Sequence, residues 1–226
     1  MPYSLLLFDY DGTLCDTRRA IAHSLGRTFG AHGLPAPAPA PLAAAIRAGL
    51  PLLDTLRALW PADPGRVTPD WLATYRAIYV AEAEDLVTPF PGAETVLATA
   101  QARAVPVVVL SNKGTQVLEN SLIRLGLRPY VALLLGDGSF PGRPLPLKPD
   151  PAQFTEIIRP RFPDIPPDEI LMVGDAPPDL RFAQNCGIAA GWARYGYGEP
   201  AACRALRPAH EFGALAEVLP LVAGAG

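Results

Sequence analysis

Five short apolar runs without polar alternation constrain this chain more than any other feature. They cover residues 5–8, 105–110, 132–135, 170–173 and 188–192. A strand with one wet face alternates polar and apolar residues, whereas a strand covered on both faces does not. Helix-like stretches separate the runs, at residues 94–103, 115–125, 152–159 and 180–185. This rhythm predicts an α/β fold: a doubly wound, Rossmann-like parallel sheet with helices on both faces. Pro106 has no N–H for a ladder, so it belongs at a strand start. A last amphipathic segment, residues 214–221, is expected to pack on an edge, shortened by Pro220.

One region breaks the rhythm. Between Cys15 and Thr88 no β-like run occurs, and helical patterns appear at residues 18–29, 52–60 and 71–84. Proline-rich breaks at 35–41 and 61–64 separate them, and the Ala/Pro tract 35–41 reads as a loop. The expected organisation is a core of residues 1–14 and 89–226 with an all-helical insertion at 15–88. Its exits would be Asp16-Thr17 and Thr88-Pro89-Phe90-Pro91.

Composition excludes several partners. The chain has 226 residues, 18% of them charged, with a net charge of −3 and no basic stripe, so a nucleic-acid backbone is not an expected partner. No apolar stretch approaches the roughly 20 residues of a membrane span. Residues 1–11 carry no basic segment ahead of the apolar run, so no signal peptide is expected. The three cysteines, Cys15, Cys186 and Cys203, suggest neither a disulfide framework nor a zinc site. A reducing, cytoplasmic compartment is the expectation, with the chain a monomer or homodimer.

Ligands of a doubly wound sheet bind beyond the carboxyl ends of its strands, so the residues after each run matter most. The first run leads into Asp9-Tyr10-Asp11-Gly12-Thr13, the second into Ser111-Asn112-Lys113, and the fourth into Gly174-Asp175, with Asp179 four residues on. Lys148 lies in the loop between the last two groups. Asp9 and Asp11 face one side of extended backbone. Two such carboxylates repel unless a cation lies between them or one holds a proton. A hard cation such as Mg²⁺ suits Asp9 and Asp175, and the second carboxyl can keep a proton to donate. Gly12 lets the chain turn sharply. Ser111, just before a helix start near Gly114, can contribute to an anion site. Asp175 and Asp179 share a helix face, and Pro177-Pro178 suits a first helical turn. Each element alone has an ordinary explanation: a capped turn, a turn serine, a solvated lysine, carboxylates at a helix N-terminus. Their joint order is what argues for a site.

In these four elements the sequence resembles the haloacid dehalogenase superfamily. Asp9-Tyr10-Asp11-Gly12-Thr13-Leu14 resembles its first motif and Ser111-Asn112-Lys113 its second. Lys148-Pro149-Asp150-Pro151 resembles the third, and Gly174-Asp175 with Asp179 the fourth. The helical insertion resembles the small cap of the phosphoglycolate phosphatase and β-phosphoglucomutase branch, and Arg47-Ala48-Gly49-Leu50-Pro51-Leu52 loosely resembles its Gly-x-Pro-Leu stretch. The resemblance implies that Asp9 forms an aspartyl-phosphate and that Asp11 serves as acid and then base. It implies Mg²⁺ held by Asp9, Asp175 and the Asp11 carbonyl. It gives Ser111, Asn112 and Lys148 to the phosphoryl group, with Asp179, Gly12 and Thr13 in support. Arg47 is a candidate for a substrate carboxylate.

The function so implied is Mg²⁺-dependent hydrolysis of a small phosphorylated metabolite, 2-phosphoglycolate first among them. A sugar-phosphate mutase using the same intermediate is the rival enzyme, which Thr13 mildly disfavours. A non-enzymatic phosphate-binding regulator is the rival of another class.

Overall fold

The computed structural model describes residues 2–140 and 142–224. Met1, Pro141, Ala225 and Gly226 fall within the expected core limits but lie outside the described residues. The elements run in the order β1 (Leu5–Phe8), β2 (Cys15–Asp16), α1 (Arg18–Ala31), α2 (Pro39–Ala48), α3 (Leu52–Leu59) and α4 (Pro69–Ile78). A π-helical turn, Tyr79–Ala83, and a 3₁₀ turn, Glu84–Leu86, lead into β3 (Thr88–Pro89), α5 (Ala93–Ala102), β4 (Val107–Gly114), α6 (Thr115–Arg124) and β5 (Leu133–Asp137). Then come a π-helical stretch, Phe154–Ile158, α7 (Arg159–Arg161), β6 (Ile170–Gly174), α8 (Pro177–Cys186), β7 (Ala189–Ala193), α9 (Pro200–Ala205) and β8 (His210–Phe212). A 3₁₀ segment, Leu215–Leu221, closes the order, with Pro220 inside it.

Six strands form one parallel sheet in the order β5-β4-β1-β6-β7-β8. Strand β1 is central, and Phe8 stands between Val109 of β4 and Val173 of β6. Alternate residues feed opposite cores, as the two-residue period of a strand requires. Leu6, Phe8, Val107 and Val109 join the core that contains α5 and α6. Leu5, Leu7, Val108 and Leu110 join the core that contains α8. Both faces are dry, which is why the strand sequences show no polar alternation. Burying each such side chain stabilises the fold by about 1.5–3 kcal/mol. The chain winds from β1 out to β5 and returns to β6 on the other side of β1. That reversal places the carboxyl ends of β1 and β6 at the topological switch point.

All residues from Arg18 to Leu86 that form regular elements are helical. This segment leaves and re-enters the core through the antiparallel pair β2 and β3, where Cys15 faces Pro89 and Asp16 faces Thr88. Two tyrosines of the loop after β7 brace that ribbon. Tyr195 Oη donates to the Thr13 carbonyl at 2.8 Å. Tyr197 Oη donates to Asp16 Oδ1 at 2.7 Å and accepts the N–H groups of Thr17 and Arg18 at 2.6 and 2.9 Å, so it caps the start of α1. Phe29 packs edge-on against Trp71 at 5.2 Å inside the helical segment.

Several expectations change in detail. The Ala/Pro tract is not wholly a loop, because α2 begins inside it at Pro39. Proline is tolerated there since first-turn N–H groups have no partner within the helix. The stretch 152–159 is not a regular α-helix but a π-helical stretch running into α7. Pro160 has no N–H to return to the preceding turn. Strand β8 and the β2–β3 ribbon carry too few residues to show a period. Among the described residues, no helix is long and apolar enough to cross a membrane.

Candidate active site

At the end of β1 the Asp9 N–H continues the ladder to the Val173 carbonyl at 2.9 Å. The chain then turns away through Gly12, whose φ of +84° favours glycine. A Cβ on Gly12 would sit 2.4 Å from Asp175 Oδ2, so only glycine lets the turn approach the end of β6. Asp9, Ser111, Lys148, Asp175 and Asp179 are all buried. Lys148 Nζ donates to Asp9 Oδ1 and to Asp179 Oδ1, each at 2.6 Å. The other Asp179 oxygen accepts the Ala176 N–H at 3.0 Å, tying the carboxylate to the first turn of α8. Asp175 Oδ2 accepts the Tyr197 N–H at 2.6 Å. Ser111 Oγ accepts the Lys113 N–H at 3.3 Å.

One oxygen from each of Asp9, Asp175 and Asp179 lies within 4.8 Å of the others. Burial pushes the Asp9 carboxyl up to about 7, and the neighbouring charges of Asp179 and Asp11 add to that, although Lys148 opposes it. Burial, followed by the charges of Asp179 and Asp9, raises Asp175 well above the usual carboxylate range. Burial works to lower the Lys148 ammonium, but Asp179 and Asp9 together hold it above the usual lysine value. The cavity wall includes five carboxylates, Asp9, Asp11, Asp137, Asp175 and Asp179, and three cations, Arg76, Lys113 and Lys148. Five against three leaves a net charge of −2 when all are ionised. A divalent cation cancels that excess, and the clustered hard oxygen donors suit one. Residues and group therefore fit.

The expected site residues do not all take the same place. Asp9, Asp11, Ser111, Asn112, Lys148, Asp175 and Asp179 line one cavity of ≈ 120 Å³. The Asn112 carboxamide, however, is spent on the backbone of Lys148: Nδ2 donates to its carbonyl at 3.0 Å and Oδ1 accepts its N–H at 2.9 Å. Arg47 is exposed on α2 and is not part of the cavity wall. Thr13 is buried, and its carbonyl receives Tyr195. The Asp11 carboxylate pairs with Lys113 Nζ at 3.1 Å, while the carboxylates that cluster are those of Asp9, Asp175 and Asp179.

Several wall residues were not expected from the sequence as site residues, among them Arg76, Asp137, Tyr79 and Lys113. Arg76 of α4 pairs with Asp137 at the end of β5, at 2.5 Å. Tyr79 lies in the π-helical turn, and Lys113 is the last residue of the second motif, to which no role had been given. Only Lys113 carried a signal, its position two residues past Ser111. The helical segment roofs the cavity directly: a Cβ on Gly49, the left-handed residue after α2, would stand 2.9 Å from the Ala176 Cβ, beside Asp175.

A buried carboxylate–lysine cluster at the switch point of a doubly wound sheet, with a second carboxylate two residues from the first, is a site suited to metal-assisted chemistry on an anionic substrate. The chain belongs to the haloacid dehalogenase-like hydrolase family, whose model matches residues 6–193. It is 28% identical over 223 residues to a phosphoglycolate phosphatase of Neisseria gonorrhoeae, covering 93% of this chain and 89% of that one. Identity to the phosphoglycolate phosphatase of Pectobacterium atrosepticum is 26% over 220 residues, covering 96% and 91%. A crystal structure of a predicted phosphoglycolate phosphatase from Haemophilus somnus superposes with a TM-score of 0.80 at 25% identity, over 97% of each chain. A haloacid dehalogenase-like hydrolase from Bacteroides fragilis shares the fold with a TM-score of 0.84 at 19% identity, over 96% of this chain and 99% of that one.

Proposed function

We propose that this protein hydrolyses a small phosphomonoester with Mg²⁺, through an aspartyl-phosphate on Asp9. The observation that carries this reading is the contact of Lys148 Nζ with Asp9 Oδ1 at 2.6 Å. It joins a buried carboxylate to a cation able to offset charge on transferring phosphoryl oxygens. In the first step an Asp9 oxygen bonds to phosphorus, the ester P–O bond breaks, and Asp11 gives its proton to the departing alcohol. In the second, Asp11 takes a proton from water, the water oxygen bonds to phosphorus, and the Asp9–phosphorus bond breaks to release inorganic phosphate. Covalent catalysis divides one hard step into two easier ones. A divalent cation, held by Asp9, Asp175 and the Asp11 carbonyl, would neutralise charge on the phosphoryl oxygens. Ser111, in the same cavity wall, would add its hydroxyl to the hold on that group.

We assign residues 15–88 as a cap that excludes water and carries the specificity contacts, as lids do. 2-Phosphoglycolate is the first substrate to test, because the curated relatives bear that name. A phosphate-release screen over small phosphomonoesters with Mg²⁺ checks the proposal. Release from 2-phosphoglycolate or another small ester is the expected result. Isomerisation of a sugar phosphate without net phosphate release would identify a mutase instead, and no turnover of any ester would sink the enzymatic reading.

Asn112 supplies a further prediction. Asn112→Leu removes both bonds to the Lys148 backbone. It is expected to cost about 2 kcal/mol of stability by denaturant titration. Because Lys148 is then misplaced, kcat should also fall, by about 10- to 100-fold. An unchanged kcat in a destabilised protein would reduce the clamp to a purely structural role.

A further inference from the structure

Lys113 is a cation of the cavity wall whose environment the proposed chemistry does not explain. Its ammonium is enclosed, with 10% of the side chain exposed, and Nζ donates to Asp11 Oδ1 at 3.1 Å. On its other side, Nζ sits 4.0 Å from the centroid of the Tyr79 ring. Asp11 belongs to the core, and Tyr79 to the π-helical turn of the helical segment. Such turns frequently mark functional positions. Tyr79 is buried, yet its hydroxyl has no hydrogen-bond partner among the described residues. Its ring face is therefore the part in use.

We infer that Lys113 is a positioning residue that holds the Asp11 carboxylate in place while the Tyr79 ring of the helical segment covers its ammonium. The inference rests on the aspartyl-phosphate reading, in which Asp11 is the acid and base. Its physical basis is the dependence of charge attraction on water. An ion pair shielded from water is far stronger than one in bulk solvent, and a desolvated cation gains further from the face of an aromatic ring. Without the Tyr79 ring, water reaches Lys113. The pair to Asp11 then weakens, and the flexible lysine regains its rotamers. With the ring in place, Lys113 is caged between Asp11 and Tyr79 and holds the carboxylate in one orientation. The ionised, oriented carboxylate is the form that takes a proton from water in the second step.

The test compares full-length wild type, Lys113→Met, Tyr79→Leu and the double variant, all with saturating Mg²⁺ on p-nitrophenyl phosphate. Lys113→Met keeps the stem and loses the charge. It is expected to lower kcat by about 30-fold or more while KM moves less than about threefold, the signature of an interaction realised during the chemical steps. Tyr79→Leu is expected to lower kcat by about tenfold. In the double variant kcat should match that of Lys113→Met within about twofold, because the ring acts only through the ammonium. Tyr79→Phe, which keeps the ring, should recover most of what Tyr79→Leu loses, and this arm stands even if Lys113→Met fails to fold. Independent losses that multiply in the double variant would overturn the coupling. So would a Lys113→Met defect confined to KM, which would make Lys113 a substrate contact. Asp11→Asn separates the two levels of argument. If it abolishes turnover while Lys113→Met stays near wild type, the proposed mechanism stands and the coupling falls. If wild type itself releases no phosphate, the mechanism has failed.

Discussion

Replacing Asp9 with asparagine will lower phosphate release by at least about 10⁴-fold, with the circular dichroism spectrum and the thermal transition retained. An amide oxygen at that position is a poor nucleophile, and no neighbouring group can take its place. Asp179 is tied to the Ala176 N–H and to Lys148, and Asp11 is held by Lys113. The substitution is nearly isosteric, so the backbone bond from Asp9 to Val173 should survive. Quenching the wild type during turnover of ³²P-labelled substrate should leave label on the protein, and the variant should retain none. A variant within about a hundredfold of wild type would remove covalent attack by Asp9 from the mechanism.

The second large effect concerns the cation. EDTA is expected to lower turnover by about a thousandfold or more, and added Mg²⁺ to restore it. Without a cation, burial pushes the Asp9 carboxyl up to about 7, so near neutral pH Asp9 is in part protonated, and in the proposed mechanism a protonated Asp9 does not attack phosphorus. The folded-state value lies above the ordinary carboxylate value, so proton loss from Asp9 is shifted to higher pH. A dication reverses that balance by favouring the ionised form. Any residual metal-free activity should therefore rise with pH through neutrality, and metal-loaded activity should persist to lower pH. Asp175→Asn should raise the Mg²⁺ concentration for half-maximal rate by about tenfold or more. Full activity in EDTA would exclude a metal from the reaction.

Much of this molecule was legible before any coordinates. The strands β1, β4, β5, β6 and β7 follow from apolar runs, because a strand dry on both faces has no choice but to be apolar throughout. Their polar successors, Asp9, Ser111 and Asp175, follow from the rule that such sheets bind ligands at carboxyl ends. Start of α8 at Pro177 follows from the tolerance of a first turn for proline. Less was legible where an element is short or irregular. Strand β8 has three residues, too few to display a period, and the π-helical turn at Tyr79 leaves no mark in the pattern around it.

By itself, then, the sequence determined the layered α/β core, the order of its motifs and the strand end at which each motif stands. These are local properties, set by side-chain period and backbone chemistry within a few residues. Tertiary structure alone decided which of those groups touch. The Lys148–Asp9 bond joins positions 139 residues apart, and Asn112 reaches Lys148 across 36 residues. No local rule sets the path of the loop between them. Tertiary structure likewise left Arg47 in solvent and brought Arg76 and Tyr79 to the cavity wall, because that depends on how each helix is rotated about its axis when its apolar face meets the core. Helix rotation is a property of the packed interface, and it appears only when both sides of that interface are in place.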